Sequence, residues 1–360
     1  MRSANNYAKG SHAYDLFPEL ATSLLYFIEK LHIALAEQGI DRVYFLSREG
    51  QPLMRMFEIY RERVGGRITS HYLQVSRRST LLPSLASLSE ESFSTLFRQY
   101  RRISLFEFLS SLGLEGQTQS IAQALGLRDA AESRREEDFP TSQIFMSLIS
   151  LPRFQALYES ERIARRRAFI DYLSKLSGGT PPVQLAIVDV GWKGTIQDNL
   201  FALLCRVGDT PVRAVTGYYV GLVAEGAASP INNKFGLLFS SVGTPSSKFR
   251  VFSENRALFE VLLAADHGSI VSYESAEGGC AQPIRGEFNE GEMLATEVFP
   301  VQRQLFTHFE RLVSSLPPLG NGCGLRFEDV VRGRARMVFN PTWREREWFS
   351  SVFHVENYGV

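Results

Sequence analysis

Twice in this chain a short apolar run stops at a tight glycine-containing loop and passes directly into a helix. That transition constrains the fold more than any other feature. The first instance covers Asp41–Pro52, where Val43–Leu46 stops at Ser47-Arg48-Glu49-Gly50. The second covers Val183–Thr195, where Leu185–Val188 runs into Asp189-Val190-Gly191-Trp192-Lys193-Gly194-Thr195. Strand–loop–helix units of this kind build open α/β sheets, whose ligands sit in the crevice beyond the carboxyl ends of the strands. A helix N-terminus there offers unbonded N–H groups and the positive end of its dipole to a phosphate or carboxylate.

The rest of the chain fits that scheme. Leu20, Leu24, Leu25, Ile28, Leu31 and Leu35 recur at three- and four-residue steps, which predicts an amphipathic helix over Leu16–Gln38 with Gly39 as its stop. Leu53–Val64 is helix-patterned and ends at Gly65-Gly66, and Ser70–Val75 reads as the next strand. This strand–helix–strand unit places its two strands parallel and adjacent through a right-handed crossover. The sheet resumes at Val183–Val190, followed by a helix over Ile196–Val207 and a strand over Val212–Val223. Next come a helix over Phe249–Ala265, an extended stretch leading to a hairpin at Gly278-Gly279, and a long helix over Glu292–Leu316. Residues 77–178 differ, because every segment with a clear period there is helical. The expectation is an α/β protein with a Rossmann-like, mostly parallel sheet, a helical insertion or cap, and a C-terminal helical extension. Its parts are residues 1–76 and 179–290 for the two halves of the core, 77–178 for the cap and 291–360 for the extension.

Charge and cysteine usage narrow the partners. The formal net charge is zero, so no global field draws the chain to nucleic acid or to an anionic membrane. Of the 39 basic residues 33 are Arg, a surplus that suits bidentate phosphate or carboxylate recognition and that genomic base composition also produces. The run Arg162, Arg165, Arg166, Arg167 reads as an exposed helix face. Without interleaved aromatic residues it gives no nucleic-acid signature. No stretch approaches the ~20 apolar residues of a membrane span, and Met1–Gly10 lacks the apolar core of a signal peptide. Cys205, Cys280 and Cys323 are far apart and share no metal-type spacing, which favours a reducing compartment. The expected location is the cytoplasm.

The loops carry the candidate chemistry. Asp189, at the end of a strand, can orient a hydroxyl, a metal-bound water or backbone amides. Gly191 and Gly194 allow a tight turn and close approach to a ligand. Lys193 adds a cation, and Thr195 caps the helix or offers its hydroxyl to a phosphate. In the first loop Arg48 can clamp an anion and Glu49 can act as general base or metal ligand. Ser76-Arg77-Arg78-Ser79 ends the intervening strand on the same edge. The expected catalytic groups are Asp189 and Glu49. The expected ligand-binding positions are Ser47, Arg48, Gly50, Ser76, Arg77, Gly191, Trp192, Lys193, Gly194 and Thr195. The competing structural account has Thr195 only capping, Asp189 satisfying loop amides, Trp192 packed, and Arg48 paired with Glu49. His267 beside Asp266 is a further acid/base pair to consider. There is no Gly-x-Ser-x-Gly elbow, no His-Glu-x-x-His, no Walker-type loop and no Gly-x-Gly-x-x-Gly fingerprint.

Four strings in order, Val43–Gly50, Tyr72–Ser79, Val188–Leu200 and Phe259–Ser269, resemble a module of bacterial polysaccharide-biosynthesis proteins. Those proteins are labelled predicted hydrolases of the haloacid dehalogenase superfamily and occur with capsule or O-antigen glycosyltransferases. The similarity runs from the helix before Asp41 to the Asn340-Pro341 region. In that family the aspartate-nucleophile phosphatase motif lies in a separate upstream region, and nothing like it exists here, so the phosphatase label does not transfer. The family tends to Arg-Asp-Gly where this chain has Arg48-Glu49-Gly50. The extra methylene moves the carboxylate by about 1 Å or more.

The resemblance implies an enzyme-like domain of surface-polysaccharide assembly that binds a phosphorylated sugar or nucleotide-sugar. Arg48 and Arg77 would hold phosphate, and Asp189 or Glu49 would act as base or bind magnesium. A non-catalytic module that docks glycosyltransferases is the alternative. A second alternative, a phosphoribosyltransferase-like transferase, rests on fold-level analogy, since a strand, an Asp and a loop ending in Gly-Thr before a helix are similar to that family's phosphate loop.

Overall fold

The computed structural model describes residues 15–98, 100–127, 131–205, 210–242, 248–275, 281–318, 322 and 324–352. Met1–Gly10, the Gly278-Gly279 turn, Cys280 and Cys323 lie outside these residues. Five strands form one sheet: β1 (Arg42–Leu46), β2 (Thr69–Leu73), β3 (Gln184–Asp189), β4 (Ala214–Leu222) and β5 (Asn232–Ser240). Their order is β2-β1-β3-β4-β5 and every pair is parallel. A separate antiparallel pair, β6 (Ile270–Ser275) and β7 (Ala281–Arg285), lies apart from it. The chain is thus a Rossmann-like α/β fold with a helical cap and C-terminal helices.

The central strands are apolar along their length because both faces are covered, as parallel sheets require. Successive side chains alternate between two cores. Val43 and Phe45 of β1 and Ala186 and Val188 of β3 join the core formed with the helices Glu19–Glu37 and Gly50–Val64. Tyr44, Leu46, Leu185 and Ile187 face the opposite way and meet Phe169, Tyr172, Leu200 and Leu203. Those last four residues come from the helices Pro152–Leu176 and Thr195–Cys205.

The cap has its own core of Phe93, Phe97, Phe108, Phe139, Phe145 and Phe154. Of its arginine run only Arg167 is exposed, and the other three do not form a solvated face. Arg162 is 9% exposed and pairs with Glu159, Arg165 donates to the Leu112 and Gly113 carbonyls, and Arg166 donates to those of Pro83 and Leu85. These guanidinium groups bond carbonyls within the cap, which the helical spacing of the arginines does not reveal.

Three elements differ from the sequence reading. β5 is absent from it, because Asn-Asn-Lys at its start and Gly236 inside it break any strand-like alternation. The helix expected over Phe249–Ala265 is two helices, Phe249–Ser253 and Ala257–Leu262, separated where Asn255 adopts a φ of 48°. The helix expected over Glu292–Leu316 opens into a wide π turn at Leu294–Val298 before continuing as Phe299–Ser314. Pro300 has no N–H for the regular ladder at that point. No helix among the described residues is long and apolar enough to cross a membrane.

The C-terminal helices Phe327–Phe339 and Trp343–Ser351 pack on the first helix of the chain and share its core. Arg336 bonds both Glu19 and Glu345. Glu345, 2% exposed, also accepts from the Phe17 backbone N–H at 3.0 Å. Removing Arg336 leaves a buried carboxylate without its cation. Arg336→Ala is expected to cost about 2–3 kcal/mol in chemical denaturation, and Glu345→Gln in the same background should recover part of that loss.

Candidate functional site

In the strand order β2-β1-β3-β4-β5 the chain runs outward from β1 to β2 in one direction and from β3 through β4 to β5 in the other. The β1/β3 boundary is therefore the topological switch point, where a crevice opens at the carboxyl ends of the strands. A cavity of about 450 Å³ lies there. The loops after β1, β2 and β3 supply Ser47, Arg48, Glu49, Ser76, Arg77, Asp189 and Gly191 to its wall. Glu260, Ser269, Glu287 and Asn289 enter from the later part of the chain, and Arg78 and Ser110 from the cap.

Several of the expected ligand groups are engaged in holding the site together. Ser47 Oγ donates to the Val75 carbonyl at 2.5 Å and accepts from the Val75 N–H at 3.1 Å, tying the end of β1 to the segment after β2. Ser76 caps the helix Arg77–Ser84 by accepting from Ser79 N–H at 3.0 Å, and its hydroxyl donates to the Ile270 carbonyl at 2.5 Å. Arg48 pairs with Glu290 at 2.9 Å, both side chains being about nine-tenths buried. Arg78 pairs with Glu115 of the cap. Arg77 is exposed at the cavity rim and has no ion-pair partner among the described residues.

Asp189 sits at the last position of β3, and its Oδ1 accepts from the Val190 N–H at 2.8 Å. Its carboxyl is pushed up to about 8, first by removal from water and then by the negative field of Glu49, with Glu260 adding to it. The Val190 N–H, which outweighs Glu260, and then Arg77 pull in the other direction. At neutral pH this carboxyl holds its proton, and the oxygen not bonded to Val190 is left to carry it. A carboxyl poised near neutrality in a cleft matches the requirement for general acid–base catalysis.

The glycine loop is pinned on its far side. Gly221 N–H donates to the Val190 carbonyl and Val223 N–H to the Trp192 carbonyl, at 3.1 and 2.8 Å, so the loop follows the end of β4. Gly191 has a φ of 142°, and a Cβ there would lie 2.3 Å from the Gly221 carbonyl oxygen, so no other residue fits. Beyond Gly191 the loop turns away from the cavity. Trp192 packs on Phe239 and Phe259, and its indole N–H donates to Glu260 at 2.7 Å. Gly194 is buried beside the Lys234 side chain. Lys193 and Thr195 line a second, larger cavity between the helix Thr195–Cys205 and the cap. Gly50 starts its helix against the Phe45 backbone and lines neither cavity. The expected site residues are thus divided: Ser47, Arg48, Glu49, Ser76, Arg77, Asp189 and Gly191 meet in one cavity, Lys193 and Thr195 face another, and Gly50, Trp192 and Gly194 line neither.

His267 does not pair with Asp266, which is exposed. Its Nδ1 bonds the Gly268 carbonyl at 2.8 Å, so Nε2 accepts from the Tyr72 hydroxyl at 2.7 Å. Burial lowers its pKa, and it serves as a neutral buried connector. Among the described residues no three His, Cys, Asp or Glu side chains are arranged to hold a metal ion. The sequence reading missed Ser110, Glu260, Glu287 and Glu290. Only Glu260 carried a signal, as an acidic residue in a helix with an apolar face. Searches against protein-family models and against curated proteins return no match to this chain.

The raised Asp189 carboxyl has a stability consequence with a definite sign. Its proton is held more tightly in the folded state than in the unfolded one. Stability therefore falls as pH rises from about 4 to about 8 and levels off above that. Asp189→Asn keeps an acceptor for the Val190 N–H and has no charge to bury. Its melting temperature should equal or exceed that of the wild type at pH 8–9, and its profile from pH 4 to 8 should be flatter, as thermal melts across that range would show.

Proposed function

We propose that this chain is an enzyme-like domain of bacterial surface-polysaccharide assembly that binds a phosphorylated sugar or nucleotide-sugar at the β1/β3 switch point. Asp189 transfers the proton and Arg77 holds the phosphate. The observation that carries the reading is the placement of Asp189 at the carboxyl end of β3 in the wall of a capped cavity, where burial and the field of Glu49 push its carboxyl up to about 8. Proton transfer to or from a hydroxyl or a leaving oxygen needs such a group, and a loop serving only to close a turn does not. Arg77 supports the reading as the exposed cation at the rim of that cavity. The resemblance of the four strings, in order, to polysaccharide-biosynthesis proteins is what suggests the substrate class. Glu49 contributes by its field, which adds to burial in raising the Asp189 carboxyl, and is the second candidate base.

One observation favours a second reading, a non-catalytic module that docks glycosyltransferases. Ser47, Ser76 and Arg48 spend their hydrogen bonds on the protein itself, as in a pocket kept for its shape.

The two readings separate by experiment. The purified chain is incubated with hexose 1-phosphates and nucleotide-sugars and followed by phosphorus NMR, with binding measured by calorimetry. The enzyme reading expects turnover with an inflection near pH 8, abolished in Asp189→Asn. It also expects binding weakened about tenfold or more in Arg77→Ala, the loss of a charge-assisted hydrogen bond. Binding without turnover, unchanged in Asp189→Asn, would leave the docking module.

A further inference from the structure

The Lys193-Gly194-Thr195 end of the glycine loop, which the first cavity does not use, opens onto a second cavity of about 860 Å³ between the helix Thr195–Cys205 and the cap. Asp198 N–H bonds the Gly194 carbonyl at 3.1 Å, so the helix starts at Thr195. Gly194 has no side chain with which to cap the N–H groups of the first turn. Thr195, Asn199 and Ala202 follow at steps of four and three residues and line the cavity as one helix face. Asn199 is 4% exposed, and its amide N–H donates to Thr80 Oγ1 at 3.1 Å, whose own proton goes to the Ser76 carbonyl at 2.7 Å. The Asn199 amide oxygen, which is not sealed from solvent, has no hydrogen-bond partner among the described residues.

The charges in the wall leave two cations over. Asp198 pairs with Lys234 at 2.7 Å and Arg162 with Glu159, Arg166 donates to the Pro83 and Leu85 carbonyls, and Glu91 accepts from the Ala86 and Phe93 N–H groups. Lys193 from the loop and Arg98 from the cap are exposed and have no ion-pair partner among the described residues. Against them stands the exposed Glu90, which bonds the Ser87 hydroxyl. Lys193 and the uncapped first turn meet at the same helix end, where an anion is held. The Asn199 oxygen, about 6 Å further along the face, accepts only from a donor such as a hydroxyl. Leu81, Leu85 and Phe201 add an apolar wall, and the volume is about twice that of the first cavity, which suits a nucleotide better than a second hexose phosphate. We propose that the second cavity binds a nucleotide, its phosphates at Lys193, Thr195 and Arg98, a ribose hydroxyl on the Asn199 amide oxygen and its base against Phe201. This second site does not depend on the sugar-phosphate reading of the first.

The test uses the full chain and calorimetry with UDP, CDP, GDP and ADP, and inorganic pyrophosphate as the control that lacks a nucleoside. At least one nucleotide is expected to bind more tightly than pyrophosphate. Lys193→Ala should weaken that binding about tenfold or more, the scale of a charge-assisted hydrogen bond, while Arg77→Ala leaves it unchanged. Asn199→Ala should weaken the nucleotide about fivefold, the scale of one neutral hydrogen bond, and leave pyrophosphate unchanged. Circular dichroism checks folding, and Lys193, being exposed, carries the test if Asn199→Ala does not fold. The second site is overturned if no nucleotide binds better than pyrophosphate, or if Lys193→Ala binds it as well as the wild type does. A loss in Arg77→Ala as large as that in Lys193→Ala also overturns it, because the nucleotide then sits in the first cavity. Undiminished binding by folded Asn199→Ala overturns the ribose contact. Binding of hexose 1-phosphates, measured separately, decides the reading of the first cavity.

Discussion

The pairing of β1 with β3 is the constraint on which the site depends. Val43, Tyr44 and Phe45 sit in register with Ala186, Ile187 and Val188, although the whole cap separates them in sequence. That pairing is enforced by burial on both faces: each strand sends alternate side chains into two different cores, and a slip of one residue would exchange them. Once it is made, the loops after β1 and β3 must emerge side by side at the same edge. The chain between them has to leave the sheet and return, and it does so as a helical unit with a phenylalanine core of its own. The cap can then lie over the cavity and contribute Ser110 and Arg78 without disturbing the register below.

Electrostatics at this edge work against stability in one place and for it in another. Asp189 is removed from water and feels the added fields of Glu49 and Glu260, and its carboxyl is pushed up to about 8 as a result. Arg48 is desolvated but has Glu290 at 2.9 Å, which links the β1 loop to the residues just before the C-terminal helices. A buried pair of this kind adds little net stability against an apolar alternative, yet losing either partner leaves an uncompensated charge. Its use here is positional: it holds the wall of the cavity where the carboxyls need it.

The two glycine loops and the helical block were legible in the sequence because each rests on local rules: period, capping residue and glycine placement. The parallel pairing of β1 with β2 followed from the crossover rule, whereas the order of the remaining strands was not legible. β5 was not legible, since an edge strand starting with Asn232-Asn233-Lys234 has no alternating pattern to detect. At the site, residue type gave position without role. Ser47 and Ser76 have the appearance of ligand hydroxyls, but their bonds to Val75 and Ile270 are structural. Ser110 has no motif around it and is brought to the cavity only by the docking of the cap. The Gly-Trp-Lys-Gly-Thr string looked like one binding loop, yet the turn after Gly191 separates its two ends into different cavities.

The C-terminal helices reach the same loop through a chain of contacts. Arg334, fully buried, donates to the Glu254 and Asn255 carbonyls at 3.0 and 2.9 Å and lies 4.5 Å from the centre of the Phe259 ring. It has no carboxylate partner among the described residues, and burial alone brings its pKa down to about 9. Those carbonyls belong to the turn where Asn255 takes its positive φ and splits one helical stretch into two. The turn sets the start of the helix Ala257–Leu262, and that helix carries Glu260 to the indole N–H of Trp192 and to the cavity wall. A buried guanidinium is costly, and bonding two carbonyls at a strained turn offsets part of that cost. The extension is therefore not an appendage to the α/β core: through Arg334 and Glu260 it fixes the side of the glycine loop that the sheet leaves unsupported.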